Sequence, residues 1–531
     1  MTRLTPPIAP LRIWFAFSAM CLGMFMAILD IQIVTTSLPT IRRSLGIAPD
    51  AMSWIQTAYL TAEIVAIPLT GYLTRRLGMR RLFVGAVGLF TLASVGCAAS
   101  RGFNSLIAWR ILQGFFGGTL IPAVFSAVFL LFPQRSQGLA TTIAGVAAVL
   151  APTVGPIVGG WITQTWSWHW LFLINVVPGI LAAVGTALTL RGADRQAAPE
   201  SAFDVISLAA LAGALAALEV GLKRAPGEGW DAGSVLALFG VFAAAASLFL
   251  LRTWRSAHPL VELRFARDRN FALGCMLSFV LGMGLFGSTY LMPFFLGLVR
   301  GYGALKTGEI MLVTGIAQLA TAPVAVGLER RVDPRLLGAI GFALFAAGLL
   351  LSAHQSINTG AAEMALPQVL RGAAIMFCLL PPTRIALGHL PPRLVADGSG
   401  LFNLMRNLGG AIGLALIDTI IFSRSPVHAR AIAAQLRSGN VQTAVAIGIP
   451  RDAFLDQLGQ PIDDFTASIV RPLVEKAALV DAINDAWLML GGLTALAILL
   501  LVLVKPGKPL AQQADGITPN PSEPPVISNL N

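Results

Sequence analysis

Three ionisable residues, Asp30, Glu63 and Arg110, stand inside stretches that are otherwise apolar. Exposing such a group to hydrocarbon is costly, so a chain that keeps one within a membrane span uses it, pairs it, or both. At 1.5 Å rise per helical residue, Asp30 falls about 14 Å from Pro39, where its apolar run ends. Arg110 falls about 9 Å from Asn104, where its run begins, and the two depths place them in the same half of a bilayer. Glu63 falls about 18 Å from the start of its run, near the midplane. Burial opposes the charged form of a carboxyl and a neighbouring guanidinium favours it, so movement of Arg110 would load or release a proton. The alternative is a static buried pair. Gln32, Gln113, Arg371, Asn403, Arg406 and Asn407 put further polar groups into apolar runs. They are candidate substrate contacts, and a purely structural hydrogen-bond network accounts for them equally.

A second kind of chemistry is the close approach of backbones. In 150–161, L-A-P-T-V-G-P-I-V-G-G-W, Ala151, Gly155 and Gly159 recur every fourth residue, and Gly160 adjoins them. On a helix this is a ridge without side chains. Pro152 and Pro156 each remove a donor and clash one turn back, so the helix should bend there. A bent, closely packing helix serves as a seal between moving parts; a generic small-residue packing face has the same spacing.

Other chemistries have no support. No G-x-x-x-x-G-K-[ST], H-E-x-x-H or nucleophile elbow occurs, and the five His are dispersed. ATP hydrolysis, metal binding and covalent catalysis are therefore not expected, and neither is a cofactor.

The elements that must carry these residues are membrane helices. The chain has 531 residues, 56% hydrophobic and 12% charged, with a mean hydropathy of +0.75, far outside soluble composition. Apolar runs of about 20 residues recur, the length that crosses the hydrocarbon as helix; strand alternation is absent. About fourteen spans are expected: 13–38, 51–73, 82–100, 105–131, 139–163, 170–190, 204–221, 232–253, 271–299, 305–328, 335–353, 364–388, 398–422 and 486–504. The seventh and eighth are rich in Ala and Leu and poor in polar groups. Segment 423–485 should lie outside the membrane, and the Pro-rich tail from Lys505 reads as disordered.

The net charge of +11 comes from basic residues spread through short loops, which fits lipid orientation and not nucleic acid. Roughly 20 Lys and Arg fall on the amino-terminal side against 7 in short loops opposite, placing both termini in the cytoplasm. The long segment 423–485 is then external, and Trp161, Trp166, Trp168 and Trp170 form an interfacial belt beside the external turn. Cys21, Cys97, Cys275 and Cys378 lie in apolar runs at no disulfide or metal spacing. The first run is too long for a cleavable signal and should remain as a span.

An internal repeat organises these spans. Offset by 258, residues 110–155 fall on 368–413 without a gap: Gln113-Gly114 on Arg371-Gly372, Pro133 on Pro391, Arg135 on Arg393 and Gly155 on Gly413. Spans four and five are thus repeated as twelve and thirteen. The expected fold is an all-α polytopic membrane protein: a six-helix bundle in 1–200, two linker helices in 201–255, a second six-helix bundle in 256–504, and a tail in 505–531.

Four motifs in order resemble the major facilitator superfamily, and within it the 14-helix EmrB/QacA-type drug:proton antiporters. L-D-I-Q-I-V-T-T-S-L-P-T-I at 29–41 is similar to the family's span-one motif, and G-Y-L-T-R-R-L-G-M-R-R at 71–81 to its gating loop, with Gly71, Arg75, Arg76, Gly78 and Arg80. R-I-L-Q-G at 110–114 resembles its span-four motif and A-P-T-V-G-P-I-V-G-G at 151–160 its antiporter motif. The resemblance implies the major facilitator fold and alternating access, with Asp30 as a proton-linked carboxyl, Arg110 as its relay partner and 151–160 as the seal. Arg75 stands where the family usually has an acidic residue, and Gln32 and Thr35 replace the usual Thr and Asn. The function implied is proton-coupled export of lipophilic or amphipathic small molecules from the cytoplasm or inner leaflet across a bacterial inner membrane. An adaptor of the EmrA type and an outer-membrane channel are the implied partners, with 423–485 as the contact. A dedicated exporter of one metabolite or siderophore is the alternative; a membrane enzyme, scaffold or sensor would need catalytic groups or an appended folded domain, and neither is expected here.

Overall fold

The computed structural model describes residues 11–47, 54–190, 204–256, 259, 263, 267–329, 331–456 and 464–505. Beyond Lys505, the expected tail lies outside the described residues.

The first bundle contains α1 (Leu11–Leu45), α2 (Trp54–Ala66), α3 (Leu69–Leu77), α4 (Met79–Ala98), α5 (Phe103–Leu131), α6 (Gln134–Thr165), α7 (Trp170–Leu173) and α8 (Val176–Thr189). A linking pair follows, α9 (Val205–Glu228) and α10 (Gly233–Arg255). The second bundle contains α11 (Arg269–Leu298), α12 (Ala304–Glu329), α13 (Pro334–Leu351), α14 (Ala361–Leu387) and α15 (Pro392–Arg437). The short α16 (Val441–Ala446) and α17 (Arg451–Asp456) lead to α18 (Asp464–Val502). Among the described residues, twelve helices are long and apolar enough to cross a membrane and the bent α6 makes a thirteenth. The expected span 51–73 is divided into α2 and α3 at Pro68, which has no N–H to continue the ladder.

Local chemistry sets several boundaries. Asp204, Asp268 and Asp333 cap α9, α11 and α13 through the backbone N–H of Ser207, Phe271 and Arg335. Gly78, at φ +80°, turns the chain between α3 and α4. The helix carrying Pro152 bends by 41° between its Ser136–Pro152 and Val154–Thr165 parts, as its prolines require.

The two bundles repeat one packing scheme: α1 lies along α6 as α11 lies along α15, and α2 against α5 as α12 against α14. Gly114 and Gly372, related by the 258-residue offset, occupy matching contacts. A Cβ on the first would overlap the Tyr59 carbonyl, and on the second the Thr314 carbonyl. Each bundle buries an aromatic core, around Phe17, Phe83 and Phe90 in one and Phe342, Phe345 and Trp487 in the other. The bundles meet where α6 packs on α12 and where α15 packs on α3 and α5; α9 lies against α2 and α15.

The described residues of 423–485, expected outside the membrane, continue the spans as helix: α15 runs unbroken for 46 residues and α18 for 39, each well beyond the ~30 Å of a hydrocarbon core. The helical period persists after mean hydropathy falls, so Ile432, Ile447, Val474, Ala477 and Ala478 form a small core of their own. Arg424 and His428 of α15 both contact Asp485 of α18, at 2.9 and 2.8 Å. The aromatic belt also loses a member. Trp161, Trp166 and Trp170 are exposed, but Trp168 is buried and donates through Nε1 to Ser44 Oγ at 2.9 Å, joining the loop to α1.

Candidate functional site

Asp30 of α1 is wholly buried, and so is Arg110 of α5. Arg110 Nη1 donates to Asp30 Oδ2 at 2.5 Å and to Gln113 Oε1 at 2.8 Å. Gln113 Nε2 donates to Asp30 Oδ1 at 3.0 Å, and Asn175 Nδ2 to the same oxygen at 2.7 Å. Ser94 of α4 accepts from Gln113 at 2.9 Å, while Arg110 Nε holds the Ile55 carbonyl at 3.2 Å. The guanidinium lies 4.3 Å from the centroid of the Tyr59 ring, whose face favours a cation. Four helices and Asn175, just before α8, thus meet in one network around this carboxylate. Sequence reading placed Asp30 and Arg110 at compatible depths but passed over Asn175, Ser94 and Tyr59, because an Asn at a helix start and a Ser in an apolar span carry no distinctive pattern. Gln113, expected among the substrate contacts, belongs to this network and is fully buried.

Glu63 of α2 anchors a second cluster. Its carboxyl accepts a hydrogen bond from Asn407 and lies within electrostatic range of Arg406 and Arg110. Arg406 donates to Asn403 Oδ1, and Asn403 Nδ2 to the Ser399 carbonyl at 2.8 Å. These three residues are on α15, so the cluster joins the two bundles. Glu219 of α9 is a further carboxylate within electrostatic range of Glu63; the linking pair is less apolar than its composition implied.

The segment 71–81, expected as a gating loop, also pairs across the bundles. Arg75 of α3 forms an ion pair with Asp397 of α15. Gly71 lies directly on Asp397, where a Cβ would overlap the carboxyl. Arg76 Nη1 donates to the Tyr72 hydroxyl at 2.6 Å, and Arg80 Nε to the Ala187 carbonyl at 3.0 Å, tying α4 to α8.

The glycine ridge of α6, expected as a seal, packs on α1. Gly155 packs on the Gln32 side chain of α1, within its own bundle, and Ser37 Oγ of α1 points to the Gly159 carbonyl at 3.5 Å. Pro156, Gly159 and Gly160 are buried. The face of α6 turned to the other bundle carries Ile157, and a Cβ on Gly308 of α12 would come within 2.8 Å of Ile157 Cγ1. Small residues hold α6 tightly to α1, and the helix bends over the second bundle with a bulkier surface.

A partly open cavity lies between α6 and helices α11, α12, α13 and α14. Pro152, Ser288, Thr314, Gln318, Gln368 and Arg371 are among its walls. Of the expected substrate contacts Arg371 lines it; Gln32 packs on Gly155, and the three α15 residues gather at Glu63. Among the described residues, no group of three or more His, Cys, Asp or Glu is arranged to hold a metal.

The arrangement combines buried carboxylates under arginine control, ion pairs between two similar bundles, and a mostly apolar cavity at their junction. The sequence profile of the Major Facilitator Superfamily matches residues 20–414. The colistin resistance protein EmrB of Acinetobacter baumannii is 35% identical over 500 residues, covering 93% of this chain and 97% of that one. The multidrug export protein EmrB of Escherichia coli is 29% identical over 478 residues, covering 89% and 92%. The crystal structure of the human organic anion transporter MFSD10 has the same fold, with a TM-score of 0.61 over 94% of this chain and all of that one at 14% identity.

Proposed function

The chain belongs to the major facilitator superfamily, and from that premise we propose that it performs proton-coupled multidrug efflux, moving lipophilic or amphipathic small molecules out of the cell by alternating access. It is a multi-pass membrane protein of a transporter family. Our reading of its setting is the bacterial inner membrane, with both termini cytoplasmic as the Arg and Lys asymmetry requires. The observation that carries the coupling mechanism is the Asp30 carboxylate, fully buried and held by Arg110, Gln113 and Asn175.

A group so enclosed exchanges protons only when the helices around it move. Withdrawal of Arg110 leaves a buried carboxylate without its counter-charge and favours protonation; its return favours release. One proton entering down a potential of about 100 mV, negative inside, releases roughly 2.3 kcal/mol, and each unit of pH gradient adds about 1.4. Together they sustain export of a neutral substrate against a gradient of several hundred-fold. Opening one end of the central cavity separates Arg75 from Asp397 and brings substrate access on that side; opening the other separates Ile157 from Gly308. The outward extensions of α15 and α18, with α16 and α17 between them, offer a rigid projection that fits contact with a periplasmic adaptor of the EmrA type leading to an outer-membrane channel.

The test is substrate-induced proton movement in proteoliposomes. Asp30→Asn fixes a neutral side chain and should retain substrate binding while losing both proton release and uphill transport. Normal exchange in that variant places coupling elsewhere, with Glu63 the next carboxylate to examine.

A further inference from the structure

Arg371 is 3% exposed and lines the cavity between the bundles, yet among the described residues no carboxylate answers it. No ion pair or hydrogen bond from its guanidinium is found among the described residues, and its Nε has no acceptor. Its contact is the Trp487 ring, 4.9 Å away. Arg110 makes the contrast: it is equally enclosed, on the matching helix of the other bundle, and is neutralised by Asp30 at 2.5 Å. The 258-residue repeat sets Arg110 on Gln368 and Gln113 on Arg371, so the second bundle has the same two residue types in exchanged order. The helix that packs here, α11, presents Ser288 and Thr289 to the cavity and no acid.

The surrounding polar groups are also incomplete. Gln368 accepts from Thr314 Oγ1 at 3.1 Å, and its Nε2 is buried without an acceptor. Gln318 is buried with neither its Nε2 nor its Oε1 satisfied. Both line the cavity with Arg371. A buried cation and buried amide donors without partners are costly features, and here they converge on one open space. What satisfies them is an anion with at least two oxygens, because a guanidinium presents a planar fork of donors to such a group. Leu285, Met292, Met311 and Phe345 supply the apolar remainder of the wall.

We infer that this cavity is a binding site for amphipathic organic anions, with a carboxylate or sulfonate held by Arg371, Gln368 and Gln318 and an apolar body against α11 and α12. The inference rests on the export reading and names its substrate class. Arg371 and Met292 also border a second, smaller cavity beside Ser352, His354 and Thr359, so the anion sits where the central space continues toward the α13–α14 loop. Glu363, the acid lining that outer cavity, is engaged at the start of α14 by the Gly360 N–H at 2.9 Å.

Calorimetry of the full chain in lipid nanodiscs, with decanoate and decanol as probes and empty nanodiscs subtracted, tests the assignment. The wild type should bind decanoate at least tenfold more tightly than decanol. Arg371→Gln should reduce that ratio to about one. Ser288→Asp, which adds an internal carboxylate to the wall, should reduce it at least tenfold by a route that leaves Arg371 in place. Equal affinity for the two probes in the wild type, or an unchanged ratio in both variants, overturns the anion site. Ethidium efflux by wild-type proteoliposomes separates the two readings: without it the export reading falls, whereas efflux together with charge-blind binding removes only the anion assignment.

Discussion

Arg75 of α3 and Asp397 of α15, 322 positions apart in the chain, form an ion pair that ties the first bundle to the second. The Asp397 side chain is 1% exposed and that of Arg75 34%, so the acid depends on the pair more than the base does. Gly71 lies flat on the same carboxylate, and Ser399 and Gly400 nearby on α15 meet Pro122 and Ile67 of the first bundle. An acidic residue at position 75 would have repelled Asp397. The basic residue found there turns a contact within the gating loop into one between bundles.

Charge reversal tests this latch. Arg75→Asp and Asp397→Arg should each lower efflux by about tenfold or more, since each leaves like charges facing at a buried contact. The combined exchange should recover a substantial part of the loss. A double variant no better than either single one would show that the two residues act independently.

Topology can be read from cysteine labelling, with Cys21, Cys97, Cys275 and Cys378 all buried and therefore a low background. Ser438→Cys at the end of α15 should react with an impermeant maleimide from outside intact cells. Ser136→Cys at the start of α6 should react only after the membrane is opened. The opposite pattern would reverse every statement about inside and outside.

The contact between Gly155 and Gln32 predicts a stability defect with a specific remedy. Even Gly155→Ala should lower the melting temperature in detergent, because overpacking a close helix contact costs about 1–3 kcal/mol. Moving the glycine to the partner helix, Gln32→Gly with Gly155→Ala, should recover part of the loss despite the roughly 1 kcal/mol cost of glycine within a helix. Full stability in Gly155→Ala alone would show that α1 and α6 can separate freely there.

Asp204 gives a pH signature outside the spans. Its carboxyl is pushed down to about 2 by hydrogen bonds from the Ser207 side chain and backbone and from Arg252, whose Nη2 lies 2.9 Å away and joins α10 to the start of α9. A depressed carboxyl contributes stability above its ordinary range near 3.8 and loses it as pH falls toward the folded value. Asp204→Ala should therefore melt lower than the wild type at pH 7, and the gap should narrow measurably by about pH 3. A gap independent of pH would assign the effect to packing instead of charge.

The chain's own chemistry determined the helical spans, because a bilayer leaves no water to satisfy backbone groups and each span must meet that demand within its own 20 or so residues. That is why the places of Asp30, Glu63 and Arg110 inside spans, the bend at Pro152 and the repeat that sets Gly114 on Gly372 are all visible in linear order. Which groups meet depends on how each helix is rotated and how closely its neighbour approaches, and spacing along one helix carries little of that information. So Asp397 as the counter-charge of Arg75, Asn175 as a ligand of Asp30, and α1 as the neighbour of the Gly155 ridge emerge only when the bundles assemble. The same holds for the helical pairing within 423–485: α15 and α18 stay helical there because each supplies apolar surface that the other covers.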